Sequence, residues 1–431
     1  MTSMLEKEKT ISDCMIMNFW SCHNYGALLT CFGVQELIKR CGLSCQIINY
    51  FPHPYFIKKY KGSFTEDFAT KYFNLTHQCY NYQDLKELND YAKVFIAGSD
   101  QIWNTEIVRN HHYNVAKTVW LLDFVSDKNK KISYSPSFGT SKFIGTIQEK
   151  LNFEYFIKQF DSVSIREVEG VEILEKEFHI NATQLIDGAF LIPKEKLNKM
   201  TQEYKSEEDY IACFCLFKND NWSKKYIDDI QKQSKLKVKC FNFDYKIPVE
   251  EWLAFIKNSK LVIADSYHAI VFAIIFNVPF VQIKNSNTQS RFSSLFKLLN
   301  IQDYSIDKNS KNININNIIN AVNWDETNQI IEKKVFEAEC WIKQALSKPK
   351  TQKEIINILN DSVISKQIME VDFEQTLGLI IAQNSINRNY YKYKLLSKIS
   401  FGKRKQYYKE KKNKYKMMRN KLKKIMENNI Y

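Results

Sequence analysis

The sequence predicts an α/β protein with two βα domains in series and a basic helical C-terminal tail. Three observations carry that expectation. Short apolar runs rich in β-branched residues recur, each halted by polar residues or glycine and followed by apolar positions at helical spacing. Residues 194–209 are charged and lack that spacing, which places a linker between two such series. Beyond residue 347 the alternation gives way to lysine-rich sequence. The expected organisation is therefore a first domain at 1–193, with a helical insertion at about 51–91, a linker at 194–209, a second domain at 210–347, and an appendage at 348–431.

Residues 14–19 (CMIMNF) read as the first buried strand. Leu28, Phe32, Leu37 and Ile38 then repeat at helical spacing up to Gly42, a glycine suited to the position just past a helix end. Asn24, Tyr25 and Gly26 thus fall in the first strand-to-helix turn, where Gly26 leaves room for a ligand near the backbone. A single glycine is weak evidence for a phosphate loop, and no GxGxxG occurs. Residues 45–50 form the second strand, and 51–91, polar and aromatic, read as a helical insertion over the site.

The third strand, 94–97, runs straight into GSDQIWN at 98–104. Gly98, Ser99, Asp100, Gln101 and Asn104 would offer hydrogen bonds, and Trp103 a face on which a sugar stacks. The plainer alternative is a capped helix start with Trp103 in the core. Residues 131–134 form the next strand, ended by SPSFGT. Strand 162–165 ends in Arg166 and Glu167; Arg166 suits an anionic substrate, or equally a salt bridge to Glu167 or Glu169. Residues 185–186 lead into Asp187 and Gly188, a strand end near the domain junction.

The second series opens with strand 210–217, helix 222–234, strand 238–243 and amphipathic helix 249–259. Its clearest unit, and the one around which the chain is organised, is 260–283, KLVIADSYHAIVFAIIFNVPFVQI. Leu261, Val262 and Ile263 read as a buried strand, and Asp265 and Ser266 stop it with residue types that suit a helix N-cap. Residues 267–277 form an apolar helix, and Pro279 opens a further strand. Ligands on such sheets bind at the carboxyl ends of the strands. His268 falls in the first turn of the helix, where free N–H groups and the dipole favour anions. His268 and Asp265 are therefore candidate catalytic residues; the alternative is an Asp cap with a histidine packed on the sheet edge. Arg291 opens helix 291–300 and faces the same sheet edge if the crossover is right-handed. Residues 309–317 read as a loop, and 324–346 as a helix crossing back to the first domain.

With 44% hydrophobic and 14% aromatic residues the chain can bury ordinary cores. It has no apolar span of the 18 or so residues that a transmembrane helix needs. The N-terminus lacks an apolar signal core, so the expectation is no export by that route. Ten cysteines include Cys41 and Cys45 in CxxxC and Cys213 and Cys215 in CxC, neither part of a paired zinc pattern. Several lie in strand-like runs as small hydrophobes. A reducing cytoplasm and no metal are expected. The net charge of +14 is local. Residues 388–427 hold sixteen of the 62 Lys and Arg but two of the 48 acids, leaving 46 of each elsewhere. A basic segment with interleaved aromatics and sparse apolar positions (Met417, Leu422, Ile425) suits anionic lipid, at about 1 kcal/mol per basic residue near the surface. Nucleic acid and an idle solvated helix are the alternatives. With a neutral body and no nucleic-acid module, the expected partner of 388–427 is an anionic membrane surface and not nucleic acid.

Seven segments in order, NYGALL, GSDQIWN, SYSPSFG, SIREVEG, IDGAFLI, ADSYHAIVFAIIFNVPFV and RFSSLFKLLN, together resemble the polysaccharide pyruvyl transferase family across about 14–300. That resemblance implies two Rossmann-like domains in a glycosyltransferase-B-like arrangement and no cofactor. It implies transfer of pyruvate from phosphoenolpyruvate to a sugar, as a ketal, during assembly of bacterial surface glycan. Arg166, Arg291, Ser266, Asn24 and Gly26 would then lie on the donor side, and Gly98, Ser99, Asp100, Gln101, Trp103 and Asn104 on the acceptor side. His268 would be acid or base, tuned by Asp265. Many members carry Arg-Leu-His where this chain has Ser266, Tyr267 and His268, so the arginine position is serine. The implied protein is an enzyme at the inner face of the cytoplasmic membrane, acting on a glycan or lipid-linked sugar. A nucleotide-sugar transferase on the same fold and a non-catalytic scaffold in glycan assembly are the competing readings.

Overall fold

Two five-stranded sheets, all parallel, carry the chain. They are seen in a computed structural model that describes residues 11–21, 23–51, 60–111, 117–215, 221–241, 247–284, 289–302, 305–307, 309–310, 314, 318–319, 322–350, 406, 409–414 and 416–417. Met1–Thr351 form one compact unit and Gln352–Tyr431 a second. The first sheet arises from β1 (Ser12–Met17), α1 (Tyr25–Arg40), β2 (Cys45–Tyr50), α2 (Phe64–Tyr72), β3 (Leu75–Cys79), α3 (Tyr82–Glu87), β4 (Ala92–Ala97), α4 (Thr105–His111) and β5 (Lys130–Ser133). Its strand order is β3-β2-β1-β4-β5. Beyond it come α5 (Ile147–Ile157), β6 (Ser164–Ile165), α6 (Val168–Phe178) and β7 (Thr183–Gln184). The β6–β7 pair is tied to β5 by the Ile132–Ser162 bridge and by hydrogen bonds between Ser133 and Ser164.

The second sheet follows α7 (Lys194–Thr201). It contains β8 (Tyr210–Phe214), α8 (Asn221–Ser234), β9 (Lys237–Phe241), α9 (Val249–Lys257), β10 (Leu261–Ala264), α10 (Tyr267–Ile275), β11 (Phe280–Ile283), α11 (Gln289–Leu298) and β12 (Ser305–Ile306). The order is β12-β11-β10-β8-β9. Each sheet thus has a point where the strand order reverses, at β1/β4 and at β8/β10, and crevices for ligands form outside the carboxyl ends of such strands. The two reversal points face each other. His268, just after β10, lies against Gly26, just after β1.

Apolar packing and a few long-range polar contacts hold the halves together. The Tyr25 ring stacks on Phe64 at 4.5 Å and on Trp252 at 4.9 Å, and its hydroxyl donates to the Ile247 carbonyl at 3.0 Å. Lys71 Nζ and the Tyr72 hydroxyl both donate to Glu250, at 2.8 and 2.9 Å. The last helix, α12 (Trp324–Ser347), returns to the first half, where Glu339 pairs with Arg40 at 2.6 Å and Trp341 donates to Thr183 Oγ1 at 3.1 Å. Its C-terminal turn is capped by buried Lys130, whose ammonium donates to the carbonyls of Ala345, Leu346 and Lys348. A cation there meets orphan carbonyls and the negative end of the helix dipole at once.

Two sequence expectations change. Within 51–91, β3 is the edge strand of the first sheet rather than part of a helical insertion; residues 52–59 lie outside the described ones. Its sequence, LTHQC, lacks the β-branched run that marks a central strand, because an edge strand is only half buried. Residues 194–209 begin as helix α7, with Leu197 and Met200 buried, so the first half of the expected linker is packed structure. Most of the basic tail also lies outside the described residues; 409–414 are helical. Among the described residues no helix is long and apolar enough to cross a membrane.

Candidate functional site

Polar side chains from five chain turns converge where the two reversal points meet, and nearly all are buried. Ser266, rather than Asp265, is the N-cap of α10: its Oγ accepts from the Ala269 N–H at 3.5 Å. Tyr267 and His268 therefore occupy the first helical turn. The Tyr267 ring carries two guanidinium groups over it, Arg166 at 4.7 Å and Arg291 at 5.2 Å. Arg166 closes β6, and its backbone N–H donates to the Pro136 carbonyl. Arg291 lies in the first turn of α11, one turn before Ser294. The Ser294 hydroxyl accepts from the Val168 N–H at 3.1 Å, which docks that helix on the first half.

Asp187 is the carboxylate at the centre. Its Oδ1 accepts from the Ala189 N–H at 2.8 Å, capping the short 3₁₀ turn Gly188–Leu191. Its Oδ2 accepts from Arg166 Nη1 at 2.6 Å and lies 3.8 Å from His268 Nε2. Arg166 Nε donates to Glu167 at 2.8 Å, and the Ser137 hydroxyl donates to the same carboxylate at 2.7 Å. Burial works against every charge here, and the partners decide the outcome. For Arg166, Glu167, Tyr267 and Asp187 outweigh burial and hold its pKa well above the usual guanidinium value. For Asp187, Arg166 and His268 outweigh burial and hold the carboxyl below its ordinary value. Burial wins at His268, whose pKa falls despite Asp187 and Asp100. Arg291 is also pulled down, by burial and by the like charge of Arg166.

The cluster leaves polar atoms open. Arg166 Nη2, Arg291 Nε and His268 Nε2 are buried without a hydrogen-bond partner among the described residues. Guanidinium N–H groups are the donors that pair most strongly with carboxylates and phosphates.

The other sequence candidates divide. Asp100 joins the cluster, since its charge is felt by His268 and by both arginines. Its backbone sits at φ 93°, a conformation that strains a non-glycine residue by about 1–3 kcal/mol and concentrates at functional sites. Ser99 braces the turn, donating to the Ser135 carbonyl and accepting from the Gly188 N–H. Gly98 lets the Asn18 side chain approach the backbone. Asn104 Oδ1 caps α4, and its Nδ2 donates to Gln101 Oε1 at 3.0 Å. Trp103 is a correction. It is 2% exposed, donates to the Trp120 carbonyl and packs on Phe153 and Phe160, so it offers no stacking face. Its place is set by the apolar layer under α5, which a single sequence position does not reveal.

On the donor side two more expectations change. Asn24 caps α1, its Oδ1 accepting from the N–H groups of Gly26 and Ala27. Gly26 admits a side chain rather than a ligand: a Cβ there would stand 2.0 Å from His268 Nδ1. Asp265 is buried at the end of β10, beside the cap. Sequence reasoning gave no role to Asp187, or to Glu167 beyond pairing Arg166. The available signal was the polar stop at Asp187 after Leu185 and Ile186; β7 itself ends at Gln184, and the reach of Asp187 to His268 depends on how the two halves dock.

The polysaccharide pyruvyl transferase family model matches residues 24–287. No curated protein matches the chain by sequence. Among solved structures, an uncharacterised Klebsiella pneumoniae protein is 14% identical, over 71% of this chain and 100% of that one, with a TM-score of 0.39. The UDP-GlcNAc 2-epimerase of Neisseria meningitidis is 10% identical over 78% and 99%, with a TM-score of 0.49. That of Methanocaldococcus jannaschii is 12% identical over 79% and 94%, at 0.41.

Two outcomes follow from this geometry. Gly26→Ala would ordinarily favour a helix by up to about 1 kcal/mol. Here the added methyl must displace His268, so we expect a loss of about 1–3 kcal/mol in urea unfolding; an unchanged or raised midpoint would refute the contact. The second concerns pH. Because the His268 pKa is lowered on folding, the unfolded chain binds a proton first as pH falls through about 6.5. The stability linked to this group is therefore present above that pH and lost below it, down through the folded value. Melting temperature should fall between pH 7 and 5 in the wild type and less in His268→Gln. Asp187, also lowered, acts in a separate window below about pH 4.

Proposed function

We propose that this chain, which belongs to the polysaccharide pyruvyl transferase family, transfers a pyruvyl group from phosphoenolpyruvate to a sugar of a bacterial surface glycan or its lipid-linked precursor, as a ketal. The observation that carries the reading is the pair of buried guanidinium groups over Tyr267, each with an unpartnered N–H, beside His268. Phosphoenolpyruvate bears a phosphate and a carboxylate on adjacent carbons, and two arginines suit two such groups. Ser266 stands at the family's arginine position and caps α10, so Arg166 and Arg291 supply the positive charge on this reading.

The chemistry follows from what these side chains can do. C3 of the enol takes a proton, C2 becomes electrophilic, and an acceptor hydroxyl oxygen bonds to C2 as it loses its proton. A second hydroxyl of the same sugar then attacks C2, the C–O bond to phosphate breaks, and phosphate leaves carrying that hydroxyl's proton as the ketal closes. His268, neutral in the buried site, accepts a hydroxyl proton as general base. The imidazolium it becomes is stabilised by Asp187, 3.8 Å away. Asp100, on its strained turn between the halves, and Gln101 would face the acceptor.

Thermal unfolding of the full chain tests the donor. Phosphoenolpyruvate at about a hundred times its dissociation constant should stabilise the fold by about 2.7 kcal/mol, and Arg291→Ala should abolish the shift. Stabilisation by a nucleotide sugar alone would move the chain to the nucleotide-sugar reading, and a response to neither ligand would favour the scaffold reading.

The surplus of basic residues in 388–427 supports attachment to the anionic inner face of the cytoplasmic membrane, where lipid-linked acceptors reside. Vesicles containing phosphatidylserine should sediment the full chain and release it as salt rises. Equal sedimentation of a chain ending at residue 387 would assign the attachment elsewhere.

A further inference from the structure

The CxC pair of the second half has no part in the site above, and strand register gives it a third member. β8 and β9 pair in parallel with Cys213 opposite Cys240. Cys215, two residues on, packs against the same apolar cluster as Cys213, and their sulfurs are 3.6 Å apart. In this register the Cys213 and Cys240 side chains leave neighbouring strands at directly opposed positions. The cluster spans the full range of accessibility: Cys213 is buried beside Ile227 and Ile230, Cys215 is half-buried, and Cys240 is exposed on the edge strand. Among the described residues no group of this kind is arranged to hold a metal ion.

We propose that Cys240 and Cys213 form a redox modification site, in which a peroxide oxidises exposed Cys240 and Cys213 resolves it into a cross-strand disulfide. In the first step the Cys240 thiolate attacks the O–O bond. Sulfur is oxidised by two electrons to the sulfenic acid, and the other oxygen leaves reduced, as water or alcohol. In the second step the Cys213 thiol attacks the sulfenic sulfur. The S–S bond forms, the S–O bond breaks, and the hydroxide leaves with the thiol proton as water.

Geometry selects the pair. Neighbouring strands run about 4.7–4.9 Å apart, inside the roughly 4.4–6.8 Å between Cα atoms that a disulfide spans. Cys213 and Cys215, two residues apart on one extended strand, stand near the far limit, at about 6.6 Å. The electronic setting agrees. The neighbouring Cys213 thiol, acting against burial, lowers the pKa of Cys240, while Cys215, Cys240 and burial raise that of Cys213 and keep it protonated. An accessible thiolate beside a protonated resolving thiol is the arrangement that oxidises selectively. Closure would staple the edge strand β9 to β8.

The test uses the full chain, reduced and then exposed to equimolar hydrogen peroxide at neutral pH, read by intact mass and peptide mapping. The expected result is loss of two hydrogens with a Cys213–Cys240 cross-linked peptide, reversed by dithiothreitol and formed about tenfold faster than any change at exposed Cys340. Cys240→Ser, at an exposed position that folding tolerates, should abolish the cross-link; Cys340→Ser should leave it intact. Oxidation of Cys240 to the sulfinic acid without a cross-link would overturn the proposal. So would a bridge through Cys215 alone, or modification confined to other cysteines.

Discussion

Taking charges out of water is costly unless each finds a partner, and that constraint organises the junction of the two halves. Arg166, Glu167 and Asp187 satisfy one another within hydrogen-bond distance. Arg291 and His268 do not reach the same degree of compensation, and the cluster carries more donor capacity than its own acids use. The imbalance costs stability in the free protein, and a bound anion would offset it. A site of this kind stays poised only if its parts cannot drift apart and let water in.

Rigidity comes from the scaffold around it. Asp187 is held by its own 3₁₀ turn, which packs on α1 so closely that a Cβ on Gly33 would stand 1.8 Å from the Gly188 carbonyl oxygen. Glycine at position 26 brings the imidazole against α1, and Tyr25, the next residue back, is locked between Phe64 and Trp252. α12 then returns to the first half and ends on Lys130. Two sheets that could in principle hinge are joined by contacts from both ends of the unit.

Much of this was legible in advance. Strand, polar stop and helix could be placed from β-branched runs and caps, and the stops at 98, 166 and 265 do mark strand ends around the site, whereas the strand before Asp187 ends earlier, at Gln184. The errors share a cause. Trp103, Asn104, Asn24 and Gly26 have side chains, or in glycine a missing one, with an ordinary structural use and a functional use that look alike in one dimension. Only the neighbours choose between them. The edge strand β3 and helix α7 were missed because half-buried elements carry weak periodicity.

The sequence by itself determined the alternation of strand and helix, the two series, the family and the basic tail, because these rest on local periodicity, motif order and charge. It also fixed which residue types would stand at the strand ends. The tertiary structure decided which of them meet: that Asp187 reaches both Arg166 and His268, that Tyr267 carries two guanidinium groups, and that Cys240 lies opposite Cys213. Those pairings join residues that lie from about twenty to about a hundred positions apart. They depend on strand register and on the docking of two halves, and no local pattern encodes either.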